Sequence, residues 1–106
     1  MNSLRELHPL LQPYALELIR LAGPYGAVVT STYRSPQQQQ LLYDAYLHGA
    51  NRYPVAPPGR SMHQYRRAFD VAAPPWLLEE MGRIWREWGG RWGGCCGGDD
   101  PIHFEV

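Results

Sequence analysis

Gly23-Pro24, Ser35-Pro36, Pro74-Pro75 and Gly89-Gly90 cut this sequence into short segments, and each cut carries a structural instruction. Proline is accommodated in the first turn of a helix and glycine just past its end. The pairs therefore say where helices start and stop. Ser35-Pro36-Gln37-Gln38 is the clearest start: serine as N-cap, proline at the first helical position, glutamine three residues after the cap. The helix it opens should run to about His48, with Gly49 beyond it, and should bury Leu41, Leu42, Ala45 and Tyr46. The Gln37 to Gln40 run then fits the helix surface.

The other segments follow the same punctuation. Ser3 and Glu6 have capping-box spacing, but Pro9 comes too soon for a long first helix, and a start at Pro9 or Pro13 is better placed. Leu10, Leu11, Tyr14, Leu18 and Leu21 form its expected stripe, and Gly23-Pro24 its stop. His8, at its mouth, is read as structural or solvent-facing. Ala27 to Ser31 is short and β-branched, a core-strand signal. Gly49 to Arg60 is a loop, rich in proline and glycine in its second half. Ala68 to Ala72 is a second strand. Pro74-Pro75 opens a third helix, with Trp76, Leu77, Met81, Ile84, Trp85 and Trp88 on or near one face. Arg91 to Gly98 is glycine-rich and turn-like, and Ile102 to Val106 is a last short strand. The sum is a small α+β domain with about three helices, a single domain over residues 1–106.

Composition removes several function classes. Ten basic residues balance ten acidic ones, and no basic run is interleaved with aromatics, so nucleic acid is not an expected partner. No apolar run approaches the ~20 residues of a membrane span. The N-terminus lacks a basic start and apolar block, so no signal peptide is expected. A monomer is expected, cytoplasmic until released or delivered. All basic residues are arginines, which grip carboxylates in a bidentate fork. Cys95 and Cys96 are adjacent; they cannot staple distant segments, and a bridge between them is not expected.

The chemistry gathers around Ser61 to Asp70. His63 and Asp70 sit at the entrance to a strand, and the last residues add Asp100, His103 and a spare carboxylate, Glu105. Catalytic zinc takes three protein ligands and leaves a position for water, and two histidines with an aspartate satisfy that. Asp100 is then placed to take a proton from the water. Arg34, at the end of the first strand, is the candidate to stabilise negative charge on a tetrahedral intermediate. Other readings stay open on spacing alone. The histidines can be structural, Asp99-Asp100 a solvated turn, and Arg34 a surface partner of Asp44. A Cys/Cys/His site using His103 is a further arrangement.

Ser61, His63 and Asp70, followed by Asp100, His103, Phe104 and Glu105, resemble the zinc peptidases of bacterial cell walls. These are the D-alanyl-D-alanine carboxypeptidases and L-alanyl-D-glutamate endopeptidases, phage endolysins among them. Ser31-Thr32-Tyr33-Arg34-Ser35 with Gln39 and Leu42-Tyr43 looks like the family's arginine segment. Pro54 to Ser61 looks like its approach loop, and Trp88 to Gly93 like its pre-ligand turn. The resemblance runs from about Leu7 to Val106. It implies a Hedgehog/D,D-peptidase-like α+β fold whose antiparallel sheet holds one zinc ion. By resemblance, His63, Asp70 and His103 are the ligands, Asp100 the general base, and Arg34 the group that binds and polarises the scissile carbonyl. Ser61, Arg34, Tyr65 and Arg66 would contact substrate, a peptidoglycan stem peptide. The implied activity is peptide hydrolysis, of the endopeptidase type because the base is aspartate. A carboxypeptidase of the same family and a non-catalytic zinc-stabilised wall-binding module are the alternatives. Arg66 departs from the family, which has glycine there; a positive φ would strain arginine. Arg52, Arg60, Arg66 and Arg67 bracket His63 and suit capture of carboxylates.

Overall fold

A four-stranded antiparallel sheet separates the apolar core from the polar face of this protein. The structure, a computed structural model, describes residues 3–51 and 53–106. Arg52 and the first two residues of the N-terminal reading lie outside that description. The elements are α1 (Gln12–Ala22), β1 (Val28–Ser31), α2 (Pro36–Leu47), β2 (Ala68–Ala72), α3 (Pro75–Glu87), β3 (Arg91–Trp92) and β4 (His103–Glu105). The sheet order is β1-β2-β4-β3, with every pair antiparallel. This is the α+β architecture the sequence implies. No helix among the described residues is long and apolar enough to cross a membrane.

The side-chain period of two divides the sheet's work. Phe69 and Val71 of β2 and Phe104 of β4 point one way and are fully buried. Phe69 stacks on Phe104 at 5.4 Å between ring centres and meets Trp85 of α3 edge-on at 5.2 Å. Leu77, Leu78 and Met81 of α3 and Leu11, Ala15, Leu18 and Ala22 of α1 complete that core. Asp70 of β2 and His103 of β4 alternate to the opposite face.

Several expected elements are corrected. On α1 the buried stripe is Leu11, Ala15, Leu18 and Ala22, while Leu10, Tyr14 and Leu21 are exposed. Ala15 and Ala22 face inward beside Leu18, where the helix approaches α3, and Leu10, Tyr14 and Leu21 are left outside. α1 does end at Gly23-Pro24, with Ala22 its last residue, and the chain passes into a 3₁₀ turn, Gly23–Tyr25. That turn is closed by Gly26, whose φ of 105° suits a residue without Cβ. β1 is not a core strand. It is a sheet edge with Val28 exposed, because only β2 pairs with it. Arg91-Trp92, expected as turn, is a short strand on β4. In α3 Trp76 and Trp88 lie outside, paired with Tyr25 and Tyr14 respectively.

α2 keeps its expected limits, and Ser35 and Gln38 form the reciprocal capping box. Its expected apolar stripe is not there: Leu41 and Tyr46 are exposed, and the one buried residue is Gln39. The helix lies over the polar side of the sheet, so its inward position carries an amide. Cys95 and Cys96 are bonded to each other, contrary to expectation, in a 3₁₀ turn after β3. The bridge closes only its own turn and ties no distant segments.

Candidate metal centre and catalytic cleft

His63, Asp70 and His103 arrive from three neighbouring pieces of chain. Asp70 and His103 are direct cross-strand partners on β2 and β4. Directly opposed residues share a face, so their side chains meet. His63 comes from a 3₁₀ turn, Met62–Tyr65, capped by Ser61, whose hydroxyl accepts the His63 backbone N–H at 3.3 Å. The turn is tied to the end of β1 in both directions. The Arg34 N–H donates to the His63 carbonyl at 3.2 Å, and the His63 ring reaches the Thr32 carbonyl. One ligand-type atom from each of the three residues lies within 4.8 Å of the others.

The hydrogen bonds fix which atoms face inward. His63 Nδ1 lies 2.6 Å from the Thr32 carbonyl, which can only accept, so Nδ1 carries the proton. His103 Nε2 lies 2.7 Å from the Glu105 carboxylate and likewise donates. The remaining nitrogens, His63 Nε2 and His103 Nδ1, stand 3.2 and 3.1 Å from a single atom, Asp70 Oδ1. In neutral histidines these are lone pairs aimed at a carboxylate oxygen. Three acceptors converging on one point need protons on both rings or a cation between them. The spacing suits zinc, since ligands at ~2.0–2.1 Å in a tetrahedron stand ~3.3 Å apart. Each histidine also donates its outer N–H to a carbonyl or carboxylate, as metal-ligating histidines do. The residues present therefore fit a zinc ion.

The electrostatics describe the same demand for positive charge. Burial acts to raise the pKa of Asp70, yet hydrogen bonds from His103 and His63 outweigh it and hold the carboxyl far below its usual range. Burial acts to lower His103, but Asp70 and Glu105 overcome it and push the ring up to about 9. His103 in turn, helped by Arg91, holds Glu105 at about 2. The spare carboxylate is thus the outer partner of a histidine, clamped by Arg91 Nε and Nη2 at 3.0 and 2.6 Å.

Arg34 completes the shell. A bulge in β1 between Val29 and Ser31 brings Ser31 opposite Asp70. Bulges commonly re-aim chains beside sites. Arg34 Nη2 binds Asp70 Oδ2 at 2.8 Å, Nε binds Ser31 Oγ at 3.1 Å, and Nη1 binds Gln39 Oε1 at 3.1 Å. Asp44 is not its partner. Two of the five guanidinium N–H groups are not used in these contacts.

Gln39 is the residue that sequence reasoning left on the helix surface. It is fully buried, and while Oε1 takes Arg34 its Nε2 donates to the Ala56 carbonyl at 2.7 Å. It fixes the arginine and tethers the approach loop with one amide. Its signal was position: glutamine one turn past the N-cap of a helix that follows Arg34. Gln39→Ala leaves the Arg34 Nη1 and the Ala56 carbonyl without partners. It is expected to lower stability by about 2 kcal/mol in urea unfolding.

Asp100 enters from the turn before β4. Its N–H donates to the Gly93 carbonyl at 3.2 Å, and its carbonyl accepts the His103 N–H at 3.1 Å. Gly93 has to be glycine: a Cβ there would stand 2.3 Å from the Asp100 carbonyl oxygen. Burial raises the Asp100 pKa, with Asp70 and Asp99 adding to the effect against the histidines. Asp100, Arg34, Ser61 and the three ligand-type residues line one cleft of about 610 Å³, shared with Tyr53 and Arg60.

Two expected substrate contacts are not brought to this cleft. Tyr65 is exposed, and its hydroxyl donates to the Gly59 carbonyl at 2.6 Å. Arg66 does adopt the positive φ, 62°, as the sequence suggested for a glycine position. Its guanidinium turns away, over the Tyr33 ring at 4.1 Å and onto the Glu6 carbonyl at 3.0 Å. The stacking holds a residue in a backbone region that costs arginine energy. Cys95 and Cys96 are not part of the metal cluster.

The sequence matches no family model and no curated protein. Solved structures do match. The chain is similar to the vancomycin-resistance D,D-pentapeptidase VanY, crystallised with Zn(II), at TM-score 0.73 and 20% identity over 94% of this chain and 72% of that one. It is similar to the LD-carboxypeptidase LdcB at TM-score 0.73 and 23% identity, covering 94% of this chain and 65% of that one. It is also similar to the L-Ala D-Glu endopeptidase ChiX of Serratia marcescens, at TM-score 0.63 and 26% identity over 97% and 82%. The fold is therefore shared with the peptidases that the sequence motifs resemble.

Proposed function

We propose that this chain is a zinc-dependent peptidase of peptidoglycan stem peptides, cutting an L-alanyl-D-glutamate-type bond. The observation that carries the reading is the convergence of His63 Nε2, His103 Nδ1 and Asp70 Oδ1 in the cleft that also holds Asp100. A structural site has no use for a further carboxylate whose pKa is raised by burial. Such a carboxylate suits a general base. The neighbouring folds, carboxypeptidases and an endopeptidase, support hydrolysis of wall peptides. The aspartate at the base position favours the endopeptidase type.

His63, Asp70 and His103 would hold the zinc, which supplies a Lewis acid for the scissile carbonyl and lowers the pKa of a nearby water. Asp100 takes a proton from the attacking water and can return one to the leaving nitrogen. Arg34 keeps Asp70 oriented through Nη2. Its two uncommitted N–H groups remain for the carbonyl oxygen as charge develops there. Gln39 and Ser31 hold the guanidinium in place, so little reorganisation is needed in the reaction.

The test is mass spectrometry of purified peptidoglycan digested by the zinc-loaded protein. New glutamate N-termini are expected, absent with a chelator and restored by added zinc. Released D-alanine instead would identify a carboxypeptidase. Binding to the wall with no new product would identify a non-catalytic module.

A further inference from the structure

Four arginines bracket His63 in the sequence, and the structure gives them different employment. Arg52 lies outside the described residues. Arg66 is committed to Tyr33 and Glu6. Arg67 lines a separate hollow with His8, Tyr14 and Val106. Arg60 lines the catalytic cleft. Among the described residues no hydrogen bond or ion pair engages its guanidinium, in a cleft whose other arginine is bound to Asp70.

The backbone under Arg60 is held more firmly than its loop suggests. Its N–H donates to the Pro57 carbonyl at 3.1 Å. The preceding Gly59 is clamped on both sides: its N–H donates to Gln64 Oε1 at 2.6 Å, and its carbonyl accepts the Tyr65 hydroxyl at 2.6 Å. Gln64 and Tyr65 are the residues directly after His63. The backbone that carries this cation is thus placed relative to the metal ligands by the ligand-bearing turn itself, while the Arg60 side chain is exposed. A held backbone lowers the loop-ordering cost of gripping a ligand, and the side chain still loses its own rotamer freedom. The ligand it suits is an anion: of the cleft's own carboxylates, Asp70 and Glu105 already have partners, and among the described residues no ion pair joins Arg60 to the third, Asp100.

We propose that Arg60 determines specificity by binding the free α-carboxylate of the D-glutamyl residue on the leaving side of the cut. This rests on the endopeptidase reading above. In such a stem peptide the D-glutamyl unit continues through its side-chain carboxyl. Its α-carboxyl is therefore left free, one carbon from the scissile nitrogen. An arginine at the cleft rim meets that group in fork geometry. Tyr65 is then a positioning residue that acts through Gly59.

Two γ-linked D-glutamyl peptides, identical except for an α-carboxylate or an α-carboxamide, test the proposal with the zinc-loaded protein. The carboxylate is expected to be preferred about tenfold in kcat/KM, expressed in KM and shrinking as salt rises. In Arg60→Gln the ratio should fall to about one, with zinc content and melting temperature confirming a folded protein. Tyr65→Phe should reduce the ratio part of the way. Equal treatment of both peptides by the parent protein, or an undiminished preference in Arg60→Gln, overturns the assignment. If the parent cleaves neither peptide, the endopeptidase reading falls by itself. Calorimetric binding of the same two peptides then decides on Arg60: tighter carboxylate binding that Arg60→Gln abolishes upholds it, and equal binding overturns it.

Discussion

Asp70→Ala is expected to lose its zinc and to unfold about 3 kcal/mol more easily, whereas Asp70→Asn should lose the zinc and keep the fold. One carboxylate here serves three partners. Oδ1 faces His63 and His103, and Oδ2 takes Arg34. The residue is buried, and removing one member of a buried charged cluster typically costs 3–5 kcal/mol, because the others are left uncompensated. Asparagine changes the outcome for a geometric reason. Its amide nitrogen, placed at Oδ1, brings two N–H donors to the two histidine lone pairs, and its carbonyl still accepts from Arg34. It thus supplies with hydrogen bonds what a cation supplies to aspartate, while removing the anionic ligand. Zinc per chain, measured after dialysis, and urea unfolding separate the two variants. One tightly held zinc in Asp70→Ala would remove Asp70 from the ligand set.

The contrast between these variants depends on atoms, and atoms are what the sequence conveys least. The local signals were legible where backbone chemistry is local. Ser35, Pro36 and Gln38 mark a start that holds to the residue, and Ala68 to Ala72 is the strand its composition suggests. Legibility failed where packing decides. The phase of α1 is set by Ala15 and Ala22, small residues that hydrophobicity ranks below Leu10 and Tyr14 but that admit close approach of α3. Arg91-Trp92 becomes a strand only because β4 offers an edge. The Cys95–Cys96 bridge has no counterpart in the usual separation of bridged residues.

The site divides in the same way. The chemical types of His63, Asp70, His103 and Asp100 were readable as a set, and their convergence follows from one cross-strand pair and one capped turn. Their supporting partners were not readable. Glu105 supports His103 because residues two apart on a strand share a face, a relation that requires knowing the strand. Gln39 supports Arg34 from a helix whose apolar content suggested a different buried face. Arg66 was legible as a departure, but only the Tyr33 ring and the Glu6 carbonyl show where its side chain goes.

Asp100→Asn is expected to lower kcat/KM by about 10²- to 10⁴-fold while the protein keeps its zinc, the range typical for loss of a general base. The substitution is close to isosteric, and the turn does not depend on the carboxylate. Its hydrogen bonds run through the Asp100 backbone, to Gly93 and from His103. The side chain accepts no hydrogen bond from the described residues, so Asn removes a charge without breaking a contact. The pKa of Asp100 gives two further readings. Burial raises it above the ordinary aspartate value, so the folded protein binds this proton more tightly than the unfolded chain. Ionising it therefore subtracts stability as pH rises through the folded pKa, and in metal-free protein at neutral pH Asp100→Asn should melt no lower than the parent. As a base the group works only when ionised. The parent's kcat/KM profile should then show an acid limb that vanishes in Asp100→Asn, where only residual hydrolysis remains. Asp100→Glu restores a carboxylate at the wrong reach and should recover part of the rate. A parent-like rate for Asp100→Asn at every pH would transfer the base role to another group, whereas a lost rate accompanied by lost zinc would make Asp100 a guardian of the metal rather than a base.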